Sequence, residues 1–101
     1  MKYNEDVILH EALEYIRSTY GQHYVGKNEI QTIDVWHSLD MAEQLCQGTA
    51  IKYLMRFGKK AGKNKKDLLK AIHYVVLMMY FAFKNEEQNT MGVSNETRTR
   101  A

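Results

Sequence analysis

The sequence predicts an all-α fold, a small bundle of about four helices followed by a disordered C-terminal tail. Three observations carry that reading. Apolar residues recur at three- and four-residue spacings through most of the chain. None of the 101 residues is proline, so helices can run without that interruption. No stretch gives a convincing strand pattern. The length allows a single domain, placed at residues 1–84, with 85–101 as the tail. A chain of this size buries only roughly two-thirds of its surface, so its core is modest.

The first helix is expected over about residues 5–19. Asn4 reads as its N-cap, with Glu5 and Asp6 in the first turn, where carboxylates complement the helix dipole. Leu9, Ala12, Leu13, Ile16 and Tyr20 give the apolar stripe, and Gly21 is placed to end it. Gly21 to Glu29 holds two glycines and little periodicity, and reads as a loop. Ile30, Ile33, Trp36 and Leu39 are spaced by three and predict a short helix ending near Ser38. Asp40 is the expected cap of the third helix, with Glu43 completing a capping box. Its apolar stripe is either Leu45, Thr49, Tyr53 and Phe57 or Leu45, Cys46, Ala50, Tyr53 and Leu54, with Gly58 at its end. Lys59 to Lys66 is a connector, and the last helix begins at Asn64 or Lys65. Its later part, Ile72 to Phe83, is apolar almost all round, as expected of a central helix or a subunit interface. From Asn85 onward no core-forming pattern remains.

Composition narrows the function. The single Cys46 excludes an internal disulfide and fits a reducing cytoplasm. Glu5, Asp6, Glu11 and Glu14 occupy the region where a secretory signal needs an apolar core. The longest apolar run, Tyr74 to Phe83, is about half the roughly 20 residues a membrane span requires, so no membrane partner is expected. The net charge of +2 conceals an asymmetry. Between residues 52 and 70, Lys52, Arg56, Lys59, Lys60, Lys63, Lys65, Lys66 and Lys70 face one acid, Asp67. The remaining chain holds six cations against eleven carboxylates, so the basic segment reads as a local anion site.

Within that segment Thr49, Lys52 and Arg56 fall at i, i+3 and i+7, one polar stripe of a helix. Asp67, Lys70 and Tyr74 repeat the spacing on the next helix. A short connector makes the two helices antiparallel neighbours, so the stripes can face each other across one pocket. Arginine offers a planar fork for phosphate, lysine a mobile charge, and tyrosine a stacking face with a hydroxyl. The same cations could instead form a plain solvated face. The connector is no Walker motif. Three residues separate Gly58 from Gly62, Asn64 follows Lys63, and a helix precedes. His10 and His73 fall in helices, His37 beside Trp36, and His23 in the loop with Tyr24. No pair has zinc-ligand spacing with a cysteine, and no metal ligand is assigned. His23 and Tyr24 are the loop's binding candidates, and Cys46 reads as inert core.

The order His23-Tyr24, Ile30-x-x-Ile33-Asp34, Gly48-x-Ala50-Ile51-Lys52-Tyr53-Leu54-x-Arg56-x-Gly58-Lys59-Lys60 and Asp67-Leu68-x-Lys70-Ala71-x-x-Tyr74 resembles a family of small bacteriophage proteins of unknown function. That family is similar to the C-terminal part of the early nucleotide kinase of short-tailed coliphages. The kinase phosphorylates deoxythymidine and deoxyguanosine monophosphates without a Walker motif. The resemblance covers about His23 to Tyr80, and Thr49 stands where the family usually has Asn. It implies a homo-oligomeric, nucleotide-handling protein of the host cytoplasm, and points to His23, Lys52, Tyr53, Arg56, Lys59, Lys60, Asp67, Lys70 and Tyr74.

Three functions compete. As a nucleoside monophosphate kinase the chain would use ATP and magnesium, with Lys52, Arg56 and Asp67 as catalytic groups and Tyr53 or Tyr74 against a base. As a non-catalytic sponge for a host (cyclic) nucleotide signal it would need the same cations and tyrosines and no cofactor. The third reading is contact with a host factor or nucleic acid through the lysine-rich segment.

Overall fold

Four helices follow one another in this computed structural model: α1 (Glu5–His23), α2 (Thr32–Ser38), α3 (Ala42–Arg56) and α4 (Lys65–Asn89). The structure describes residues 1–23, 31–59 and 62–89, and no strand occurs among them. The predicted loop from Tyr24, with Ile30, and the tail beyond Asn89 lie outside the described residues.

The antiparallel pair α3–α4 is the main packing unit, as the short connector demands; α1 rests on α4 and α2 on α3 through smaller contacts. The turn between the pair is set by two left-handed glycines, Gly58 at φ +83° and Gly62 at φ +64°. The Gly58 amide donates to the Gly62 carbonyl at 2.8 Å and closes the turn. Asn64 then starts α4, its side-chain oxygen accepting the Lys66 amide at 2.9 Å. At the opposite end of the pair, α2 meets α4 where His37 lies 5.1 Å from Phe81 between ring centres.

Among the described residues the buried apolar ones are all small: Ala12, Ala42, Cys46, Ala50 and Ala71. On α3 they follow an i, i+4, i+8 line that lets the α4 backbone approach closely. Leu45, Thr49, Tyr53 and Phe57 flank that line and are half-buried. The alternative stripe fails at Leu54, which is 55% exposed, because the α4-facing line turns away from it.

Four expected boundaries move. α1 does not stop at Gly21 but runs to His23, since a glycine inside a helix costs only about 1 kcal/mol against alanine. Asn4 sits at φ 57°, outside the extended conformation of an N-cap, while its carbonyl accepts the Ile8 amide at 2.9 Å. Asp40 is likewise left-handed at φ 59°, and Met41 takes the N-cap position of α3 without a side-chain cap bond. α4 continues to Asn89, past the boundary placed at residue 84. The α1 stripe also rotates. Ala12 and Thr19 are buried, and Leu9 and Leu13 face outward.

Candidate functional site

The α3–α4 pair, the inner face of α1 and residues of α2 line a half-open cavity of about 510 Å³. α3 contributes Thr49, Lys52 and Tyr53 at i, i+3 and i+4; α4 contributes Lys70, His73, Tyr74 and Leu77, again on one helical face. Tyr15 and Thr19 arrive from α1, Ile33 and Trp36 from α2. The antiparallel register thus places each Lys–Tyr pair opposite the other.

Tyr53 and Tyr74 lie with ring centres 6.2 Å apart and planes 21° from parallel. The Lys52 ammonium stands 4.7 Å from the Tyr53 ring centre, and that of Lys70 stands 5.3 Å from it. Both ammonium groups thus lie against the same ring, and the positive charge they bring to the cavity favours an anion there. The Thr49 hydroxyl donates to the Leu45 carbonyl at 2.7 Å, so its oxygen remains available only as an acceptor.

Two aromatic groups here carry shifted protonation. Burial, reinforced by the neighbouring Tyr53, raises the pKa of Tyr15, which stays a neutral phenol. Burial lowers the pKa of His73, whose ring meets Tyr15 edge-on at 6.4 Å and tilts against Tyr74 at 5.9 Å. An unfolded chain binds a proton at the ordinary histidine pKa of about 6.5. Folding stability from this group is therefore complete above that pH and declines as the pH falls below it. The slope for one proton is at most about 1.4 kcal/mol per pH unit, ending once the folded pKa is passed. Thermal melts between pH 7.5 and 5 should show His73→Gln losing less stability than the parent chain; equal losses would remove His73 as the cause.

The other predicted site residues are placed elsewhere. Arg56 Nε lies 3.5 Å from Asp67 Oδ1, and the pair is outside the cavity lining. Asp67 is 4% exposed, and its Oδ2 is buried without a hydrogen-bond partner. It holds the connector end of α3 to the first turn of α4. Lys59 and Arg56 line a neighbouring open apolar depression on α3, which shares Lys52 with the cavity. His23 is the last residue of α1, in place of the expected loop; Tyr24 and Lys60 lie outside the described residues. Cys46 is fully buried and its thiol pKa is raised by burial, as an inert core thiol requires.

Sequence reasoning missed Tyr15, Thr19, Trp36, His73 and Leu77. Tyr15–Thr19 and His73–Leu77 are i, i+4 pairs, but their spacing alone does not say which face meets a cavity.

Fold and site define an all-α protein with a cavity lined by tyrosines and lysines between two antiparallel helices. The profile of a family described as protein of unknown function (DUF3310) matches residues 16–76, which contain every described lining residue except Tyr15 and Leu77. The chain belongs to that family. No curated protein and no solved structure matches it.

Proposed function

We propose that the chain binds a nucleotide in the α3–α4 cavity, as a phage protein acting in the cytoplasm of its host. The observation that carries this reading is the pairing of Lys52 and Lys70 over Tyr53, with Tyr74 stacked beside it. Two ammonium groups match a phosphate, and Trp36, Tyr15 and Tyr74 offer ring faces for a base.

Binding is better supported than turnover. The kinase that the sequence resembles needs MgATP, and a magnesium site needs oxygen donors, usually one or two carboxylates. The cavity lining contains none among the described residues, and Asp67 is engaged with Arg56. The described side chains therefore do not fit a magnesium site, and no phosphoryl-transfer step is derived through one. Sequestration of a host nucleotide signal is the reading that asks least of these residues. Association of copies belongs to the same proposal, supported by the absence of any large apolar residue from the buried core among the described residues.

Small molecules released from the natively purified protein and identified by mass spectrometry should include a phosphorylated nucleoside, unaltered after incubation with the protein. Recovery of no nucleotide, together with no binding across mono-, di- and cyclic nucleotides, would refute the reading. Diphosphate formed from thymidine or guanosine monophosphate with MgATP would restore the kinase.

A further inference from the structure

The strongest part of the sequence motif left unused by the cavity is the outer face of α3. Gly48, Ile51, Lys52, Met55, Arg56 and Lys59 line an open apolar depression of about 710 Å³ there. Ile51 and Met55 are exposed, Met55 by 64%, and the cations sit along one side and at the C-terminal end. Gly48 is the unexplained residue. It lies mid-helix, where glycine is costly, yet a Cβ built there would meet nothing within 4 Å in this chain. Neither its backbone conformation nor any neighbour among the described residues requires glycine, so this stretch of α3 is open to close approach by another helix.

The outer face of α1 is the complement. Leu9 is 62% exposed and Leu13 faces outward beside it, one and two turns beyond the exposed Glu5. Asp6 flanks the same stripe on its other side. Of the four α1 carboxylates, Glu14 pairs with Arg17 at 2.6 Å and Glu11 with Lys65 at 3.0 Å, so Glu5 and Asp6 at the helix start carry its unbalanced negative charge.

We infer that α1 of a second copy of this chain docks on the outer face of α3, antiparallel to it. One register satisfies all the features: Glu5 beside Lys59, Leu9 on Met55, Leu13 on Ile51, and Ile16 over Gly48. Both helices rise by about 1.5 Å per residue, so four matches set by one offset are geometrically consistent. Charge selects this pairing over α3 against α3, which would set the basic face of one copy, with Lys52, Arg56 and Lys59, against the same basic face of the other. The docking makes α1, sparsely held within its own subunit, a bridge between subunits. It rests on the association of copies proposed above and stands whatever the cavity binds.

The test is sedimentation velocity of the full chain across concentration, in low and high salt. The parent chain should associate, less tightly as salt rises. Glu5→Lys and Lys59→Glu should each weaken association about tenfold, and the double reversal should recover most of it. Gly48→Leu should weaken association at least as much while leaving the helical circular dichroism unchanged. A monomeric parent at tens of micromolar overturns the proposal. So does association untouched by Gly48→Leu, or a double reversal no better than the single ones.

Discussion

Arg56→Ala lowers the stability of the chain by about 1–3 kcal/mol, the usual cost of stripping the partner from a buried polar group. Asp67 is almost wholly inaccessible and one of its oxygens already lacks a hydrogen bond, so its carboxylate depends on the arginine. Arg56 itself is 47% exposed, and solvent near its guanidinium keeps the loss below that of a fully buried ion pair. Asp67→Asn in the Arg56→Ala background should recover part of the loss, because a neutral amide is cheaper to bury than an unpaired charge. Denaturant titrations of the two single variants and the double variant measure this coupling. The arginine thus acts first on the fold, whereas its i, i+3, i+7 stripe with Thr49 and Lys52 suggested either a phosphate-binding group or a solvated face. An Arg56→Ala chain within about 0.5 kcal/mol of the parent would remove the structural role, since that is the range of ordinary surface substitutions.

The second large effect concerns the two lysines. Lys52→Ala and Lys70→Ala should each weaken nucleotide binding about ten- to a hundredfold, as expected for losing one charge-assisted hydrogen bond of roughly 1.5–3 kcal/mol. Neither lysine makes an ion pair among the described contacts, so the helices should melt close to the parent temperature. The double variant should lose binding altogether. Tyr53 deepens the effect, because its ring holds both ammonium groups in place. Tyr53→Leu should weaken binding and Tyr53→Phe should preserve most of it, since the ring face is retained.

The helices were legible in the residues themselves. Three- and four-residue spacings, as in Ile33 and Trp36 or in Leu45, Thr49 and Tyr53, match the helical repeat and not the two-residue repeat of a strand. Their ends were not legible, because capping depends on backbone conformation. Asn4 and Asp40 have the right side chains for caps but take left-handed φ values, and Gly21 can sit inside a helix as well as end one. At the site, Thr49, Lys52, Lys70 and Tyr74 were picked out by spacing and Tyr53 by the family resemblance, and all five line one cavity. Arg56 and Asp67 share the same periodicity but meet each other at the connector end, where the helices converge on the turn. Periodicity gives a face to each residue; which partner that face meets is decided by the crossing of two helices. The contribution of α1 could not be read at all, since Tyr15 and Thr19 belong to the side opposite the obvious leucines.

A cavity in which Lys52 and Lys70 receive a phosphate is tested most directly by isothermal titration calorimetry. The parent chain, stripped of co-purified ligand, is compared with the Lys52→Ala/Lys70→Ala chain against a panel of mono-, di- and cyclic nucleotides, with the unphosphorylated nucleosides as controls. Saturable heat with at least one nucleotide is expected in the parent chain, strongly reduced for its nucleoside and absent in the double variant. Equal heats in the two chains, or equal affinity for nucleoside and nucleotide, would contradict the account.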